Sequence, residues 1–324
     1  MLNQQSCDYY NDVYAHYSAH EDILKDKARM SIYMKAIQQN PSLFRGKAVL
    51  DAGTGTGIMA MLAVQAGARI VYAVERTIMA EFAKKIVEIN NFADKIIVYH
   101  SSLEEVELPE KVDIIISDWM GSCLFADSSF ESVIIARDKW LAPDGVMFPS
   151  TARLVIGAIE DEEYRKKKID FWDNVYGFHY SSIKNWALVE PLVETCPTDG
   201  FLTDEYIMAD YDLKTVTIQD SLAPSHFELI PSETNTMHAF VIWFDVIFRG
   251  PEKSFALSTS PYCKTTCWRH SVFYLNDPLP IIPGSLIEGQ VQQYHDTVNP
   301  RNQFFILKFR YNGVEYQQKY KLSV

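Results

Sequence analysis

Apolar positions come in short blocks through the first half of the chain. Ala48-Val49-Leu50, Ile70 to Val74, Ile96 to Tyr99 and Val112 to Ser117 are apolar runs bounded by turn formers, the pattern of strands buried on both faces. Between them lie segments of helical pattern: Ile58 to Ala66, which stops at Gly67, then Ile78 to Asn90 and Phe130 to Leu141. Strands alternating with helices predict a parallel α/β sheet. Ahead of it, residues 8 to 45 are mostly helical in pattern. Tyr9, Tyr10, Tyr14 and Tyr17 form an aromatic stripe that reads as core. Glu21 to Ile37 is an amphipathic helix carrying Arg29, and Asn40-Pro41-Ser42 ends it. Pro143-Asp144-Gly145 is a turn, and Val146-Met147-Phe148 enters one more strand.

The pattern changes around Pro149. From Ala152 onward come many short β-branched and aromatic runs separated by turns: Arg153 to Ala158, Thr215 to Ile218, His238 to Phe248, Ser271 to Leu275 and Gln303 to Arg310. They predict an antiparallel β domain, a barrel or a sandwich. The organisation is therefore an N-terminal helical segment (1–45), a doubly wound domain (46–149) and a β domain (150–324). Asp161 to Trp186 breaks the strand rhythm. It is charged at first and then rich in aromatics (Phe171, Trp172, Tyr176, Phe178, Tyr180, Trp186). Such a segment packs either within the chain or against a partner subunit.

Composition narrows the class. With 48% hydrophobic and 22% charged residues, the 324-residue chain is ordinary globular protein, long enough for more than one domain. Its 30 basic and 42 acidic residues leave a net charge of −12, which argues against general affinity for nucleic acid or anionic membrane and suits basic substrates or partners. The first residues have no apolar core for a signal peptide, and no apolar stretch is long enough for a bilayer. The cysteines number five and are scattered, which favours free thiols and a reducing compartment. The cytoplasm is the expected location, with the nucleus as the alternative. Cys263 and Cys267 are the only close pair and lack a second ligand pair, so no metal site is expected.

The chemistry starts at Ala48 to Gly57. A buried strand runs into Gly53, Gly55 and Gly57 and then into a helix, the layout that brings backbone and free helix N–H groups close to a nucleotide-like ligand. Dinucleotide sites space their glycines G-x-G-x-x-G around a pyrophosphate. Here the spacing is Gly-x-Gly-x-Gly with no basic residue in the loop, which suits a cofactor without phosphates. Glu75 closes the next strand, where an acid can accept from both ribose hydroxyls. S-adenosylmethionine meets these requirements; the alternative is a glycine turn that serves packing alone. The strand at Val112 runs out into a loop with two acids, Asp118 and Asp127. Paired carboxylates beside a methyl donor suit a guanidinium, whose planar fork two acids can grip. Equally, each aspartate could cap a turn or the next helix.

These motifs identify a resemblance. The sequence resembles the protein arginine methyltransferase family, in particular its type I members with a single core, over nearly its whole length. The matching segments are Asp8-Tyr9-Tyr10, Tyr14-Ala15-His16, His20-Glu21, Leu24-Lys25-Asp26 with Arg29, Val49-Leu50-Asp51 with the glycine loop, Glu75 and Leu103 to Pro109. Further along they are Asp118-Trp119-Met120-Gly121, Ala136 to Gly145, Asn174-Val175-Tyr176-Gly177-Phe178 and Ser258 to Pro261. The resemblance implies a Rossmann-like S-adenosylmethionine-binding domain followed by an antiparallel β-barrel with an inserted dimerisation arm, at about 159–186. It implies that Arg29 pairs with the cofactor carboxylate. Asp51, Gly53 and Gly55 would lie along the methionine moiety, with Glu75 on the ribose and Glu104 on the adenine.

The departures concentrate at the acceptor site. The family's loop acids are glutamates, and both positions here hold aspartate, Asp118 and Asp127. The family's Thr-His-Trp reads Thr266-Cys267-Trp268, so Asp26 loses the histidine that it would pair with; His270 is nearby but off register. Asn11 replaces an aromatic of the N-terminal lid, and Ile23 a methionine of the acceptor pocket. These changes lead to the expectation of a prozyme: an impaired subunit that joins an active arginine methyltransferase paralogue through its arm and supports methylation of arginine-glycine-rich proteins by that partner. The alternatives are that the chain is itself an active protein arginine N-methyltransferase, or that it methylates a different small acceptor.

Overall fold

The computed structural model describes residues 14–295 and 302–322. Tyr9, Tyr10 and Asn11 lie outside the described residues. Helices α1 (Tyr17–Lys25) and α2 (Lys27–Gln38) replace the single helix predicted over Glu21 to Ile37. The break is Asp26, whose ψ of 92° leaves the helical region and whose carboxylate caps α2 by accepting from the Arg29 N–H at 2.9 Å. A short helix α3 (Pro41–Phe44) follows, with Pro41 in its first turn. Tyr17 does not join a core: it is exposed, whereas Tyr14 lines the cavity described below.

The doubly wound part comprises β1 (Ala48–Ala52), α4 (Ile58–Gln65), β2 (Ile70–Glu75), α5 (Met79–Ile89), β3 (Ile96–His100), β4 (Val112–Ser117), α6 (Phe130–Trp140) and β5 (Leu141–Phe148). Its five-stranded sheet has the order β3-β2-β1-β4-β5, and every pair is parallel. β1 is buried at every position because both its faces are covered. The order reverses between β1 and β4, so a crevice opens at the carboxyl ends of those strands. That is where the glycine loop and the acid loop begin.

The rest is β6 (Thr151–Ile159), α7 (Glu162–Lys168), α8 (Ser181–Val189), β7 (Leu192–Glu194), β8 (Tyr206–Asp212), α9 (Ile218–Leu222), β9 (Ser225–Leu229), β10 (Asn235–Phe248), β11 (Phe255–Ser258), β12 (His270–Ile281), β13 (Ile287–His295), β14 (Gln303–Tyr311) and β15 (Val314–Leu322). A six-stranded sheet runs β7-β12-β10-β6-β8 with β11 beside β10, and a four-stranded sheet runs β15-β14-β13-β9. Neighbouring strands in both pair antiparallel. The sheets meet over tilted and edge-to-face aromatics, Phe240 against Phe227 and Phe309, and Phe273 against Phe305 and Tyr320. That arrangement is consistent with a flattened barrel. The strand predicted over Thr215 to Ile218 is instead a turn entering α9, where Thr217 and Asp220 form a reciprocal capping box.

Between β6 and β7 the chain leaves the barrel. The segment that runs from α7 through a 3-10 turn at Asp170–Asp173 and a loop to α8 carries exposed Phe171, Tyr176, Phe178, Tyr180 and Trp186. The root of this segment is fixed, since buried Arg165 donates to the carbonyls of Leu275 and Asn276, both at 2.6 Å. The doubly wound part and the barrel share one continuous core. Tyr33, Phe44, Phe148 and Phe248 pack edge to face across the junction. The buried Asn40 side chain accepts from the Glu252 and Lys253 amides and donates to the Ala36 and Lys253 carbonyls.

Candidate active site

A cavity of about 1040 Å³ lies at the carboxyl ends of β1, β2 and β4 and is closed on its far side by the barrel. Every site residue predicted from sequence lines it: Arg29, Asp51, Gly53, Gly55, Glu75, Glu104, Asp118, Asp127 and Cys267.

The glycine loop is tied down by acids. Glu75 is buried at the end of β2; its carboxylate accepts from the Gly55 N–H at 3.0 Å and from the Thr77 N–H at 2.9 Å. Each oxygen keeps a second lone pair for a hydroxyl in the cavity. Gly55 has φ +55°, and a Cβ there would stand 3.0 Å from the His20 ring, so the close approach itself calls for glycine. Asp51 accepts from the Thr54 hydroxyl at 2.5 Å and the Ala60 N–H at 2.9 Å. Burial outweighs these bonds and pushes its carboxyl up to about 6. For Glu104 the balance goes the other way. Burial raises its pKa, but the Ser132 hydroxyl and backbone donors hold the carboxyl below its ordinary value.

The acid loop is a closed structure rather than an open strap. Gly121 bridges to Leu124 and Ser122 to Ala126, and Cys123, Leu124 and Asp127 all have positive φ. A Cβ at Gly121 would stand 1.9 Å from the Ala126 carbonyl oxygen. Cys123, Leu124 and Phe125 are buried, with Phe125 edge-on to Tyr211 of the barrel. Asp118 turns toward α2. Its Oδ2 accepts from Arg29 Nε at 2.6 Å and is also paired with Nη2, while Oδ1 accepts from the Tyr33 hydroxyl at 3.0 Å. Desolvation works against the buried Arg29 charge, yet Asp118 outweighs it and holds the guanidinium pKa above its usual value. Burial raises the Tyr33 pKa well above 10, so its hydroxyl stays a donor.

On the barrel side Asp26, without the histidine, takes a backbone partner at the same position: its Oδ2 accepts from the Cys267 N–H at 2.8 Å. Cys267 is exposed as a residue, but its sulfur faces the crowded cavity. Desolvation, with Asp118 and Asp26 nearby, pushes the thiol up to about 12. It is therefore a neutral group and replaces neither the charge nor the basicity of a histidine. His270 does not compensate, because its buried ring accepts from the Cys196 amide at 3.0 Å. Trp268 donates to the Met120 carbonyl at 2.9 Å and fixes the barrel to the acid loop. Among the described residues no group of His, Cys, Asp and Glu could hold a metal ion, and no helix is long and apolar enough to cross a membrane.

Comparison with known proteins places this geometry. Residues 150–314 match the family profile of the arginine methyltransferase oligomerization subdomain, and residues 30–146 match that of ribosomal protein L11 methyltransferase (PrmA). Protein arginine N-methyltransferase 1 of Schizosaccharomyces pombe is 44% identical over 285 residues, 88% of this chain and 84% of that protein. The protein of the same name from Chlamydomonas reinhardtii is 41% identical over 318 residues, 98% of this chain and 92% of its own length. The chain belongs to the protein arginine N-methyltransferase family. Among solved structures, a Trypanosoma brucei PRMT1 enzyme-prozyme heterotetrameric complex with AdoHcy superposes with a TM-score of 0.93 at 36% identity, covering 96% of this chain and 99% of that one.

The donor set fits the S-adenosylmethionine of an arginine methyltransferase. Buried Arg29 suits a carboxylate, although here Asp118 and not a cofactor is that carboxylate; Asp51 suits a cationic amino acid and Glu75 a ribose diol, and the loop offers no base for a phosphate. Sequence reasoning missed Tyr33, Thr54, Thr77 and Gln303. Thr54 sits inside the glycine loop, and Tyr33 lies four residues after Arg29 on one helix face, so both had a local signal.

Proposed function

We propose that this chain is an S-adenosylmethionine-dependent protein arginine N-methyltransferase, acting on a terminal guanidino nitrogen of arginine in proteins. The observation that carries it is that Asp118 and Asp127 line the same cavity as the glycine loop and Glu75. Donor and acceptor subsites thus remain adjacent, as catalysis by positioning requires. Relatives named as methyltransferases at 41–44% identity support the reading. S-adenosylmethionine supplies an electrophilic methyl group on its sulfonium. Asp118, which pairs with Arg29 in this structure and turns to the acceptor when a cofactor carboxylate takes that arginine, holds the guanidinium together with Asp127 by charge-assisted hydrogen bonds, and the two aim one nitrogen at that methyl. The type I motifs carry the finer assignment, asymmetric dimethylation.

A second reading, the prozyme, is favoured by one specific feature. The acids are each a methylene short, about 1.5 Å, and the bridged, buried loop that carries them gives the backbone little room to follow. A misplacement of about 1 Å can cost on the order of 100-fold in rate. In both readings the exposed aromatics of residues 159–186 seat a partner subunit, either a second copy or an active paralogue that brings arginine-glycine-rich substrates. The free cysteines fit a reducing compartment, and we assign the chain to the cytoplasm.

The test is transfer of labelled methyl from S-adenosylmethionine to an arginine-glycine-rich protein by this chain purified alone. Steady turnover supports the enzyme. A folded sample that binds cofactor and turns nothing over, but gains turnover with Asp118→Glu plus Asp127→Glu, replaces it with the prozyme.

A further inference from the structure

Buried polar atoms in folded proteins almost always have partners. At the barrel end of the cavity they do not. Gln303 opens β14, is 1% exposed, and neither its Oε1 nor its Nε2 has a hydrogen-bond partner. It pairs in register with His295 of β13 and Leu322 of β15. The alternation along β14 makes it the first of the inward residues Gln303, Phe305, Leu307 and Phe309. Behind it on β13 is buried Gln293. Its Nε2 donates to the Ser221 carbonyl at 3.3 Å, but its Oε1 has no partner. The apolar core of the barrel therefore ends, on the cavity side, in carboxamides rather than in the leucine or phenylalanine that the strand pattern calls for. An apolar side chain of similar volume would remove the desolvation cost of the amide. Gln303 lines the same cavity as Asp118 and Asp127.

We propose that the Gln303 carboxamide is a subsite for a peptide group of the acceptor polypeptide next to the methylated arginine. It rests on the reading of this cavity as the acceptor site for arginine in proteins. The chemistry selects the ligand. A carboxamide offers an acceptor oxygen and a donor nitrogen in one plane, the complement of a backbone C=O and N–H. A cation would be met by an acid, and the loop already supplies acids for the guanidinium. Gln303 thus binds substrate backbone, and its buried amide is completed when the substrate arrives.

The experiment uses the full chain saturated with S-adenosylhomocysteine, a fluorescein-labelled peptide of Gly-Gly-Arg-Gly-Gly repeats, and the Gln303→Leu variant. Anisotropy gives the Kd and thermal unfolding gives the Tm, neither of which needs turnover. Loss of two hydrogen bonds to a buried amide should weaken peptide binding by about tenfold, with the Tm unchanged or raised. A Kd unchanged within about twofold overturns the proposal, as does a wild-type chain that binds no peptide. A Tm that drops by several degrees also overturns it, whatever the Kd, because the amide is then satisfied within the fold by buried water and serves structure. If peptide binding weakens as expected while the wild-type chain transfers no methyl, the subsite stands and the reading as a self-sufficient enzyme falls.

Discussion

Removing either member of the Arg29–Asp118 pair should cost more than removing both. The Arg29 side chain is 5% exposed and that of Asp118 17%, and they meet through two guanidinium nitrogens. At an effective dielectric of ~20 and a charge separation of ~4 Å, their attraction is about 4 kcal/mol. The partial exposure of Asp118 trims that figure, and taking Arg29 out of water offsets part of it. What remains is asymmetric. Asp118→Ala leaves a buried guanidinium with only the Ile23 carbonyl and the Met30 sulfur as acceptors. Arg29→Met leaves a carboxylate with only the Tyr33 hydroxyl. Each should destabilise by about 3 kcal/mol, whereas the double variant, with no buried charge left over, should lose only about 1–2. The coupling is then about 4 kcal/mol, in the sense that the second substitution restores stability. Urea unfolding of the three variants and the parent, without cofactor, measures it. Single costs that simply add in the double variant would refute the reasoning, since the pair would then be no pair.

Asp51 predicts a pH effect. Its carboxyl, pushed up to about 6 by burial, holds a proton in the folded chain between its ordinary 3.8 and 6 that the unfolded chain has released. Folding stability from this group therefore falls as pH rises through that window. A cofactor with a sulfonium and an ammonium favours the ionised form. Its affinity, read by titration calorimetry, should climb toward pH 6 by up to about tenfold per unit and then level off, and Asp51→Asn should flatten the profile. Gly121→Ala forces a Cβ onto the Ala126 carbonyl; the expected loss is about 3 kcal/mol in thermal unfolding, together with methyl transfer. Phe178 and Trp186 are 69% and 64% exposed. If they anchor a partner at about 2 kcal/mol each, changing both to serine should weaken association by about three decades in sedimentation, with Tm at high dilution unchanged.

What could be read in the sequence was local. The strand at Ala48, the glycines that follow it and the acid that ends β2 lie within one βαβ unit, where spacing fixes geometry. The exposed aromatics from Phe171 to Trp186 were legible for the same reason, because they break a strand rhythm. The misses are tertiary. The helix over Glu21 to Ile37 divides at Asp26 because one carboxylate caps α2 and also receives the Cys267 amide from the barrel, 241 residues away. Thr215 to Ile218 has the β propensity of a strand, but the capping box of Thr217 and Asp220 overrides it. No spacing rule links Arg29 to Asp118, and none marks Gln303 as an amide at an inward position.

Whether the shortened acids still serve catalysis turns on the loop rather than on the acids. Asp118 and Asp127 stand at the ends of a segment that closes on itself through Gly121, Leu124, Ser122 and Ala126 and is pinned by Trp268 to the barrel. A flexible loop could restore the reach of a glutamate by moving inward about 1.5 Å. This one would have to break the Trp268 bond and withdraw Cys123 to Phe125 from the core. The carboxylates are therefore where the side-chain length puts them, and the acceptor has to come to them. With Ile23 and Cys267 lining the same cavity, the acceptor side has the room for a guanidinium to sit deeper. A site that works in this way would pay in positioning what it saves in loop strain, so its signature is a low kcat with an ordinary KM, since the grip on the guanidinium survives where its aim does not.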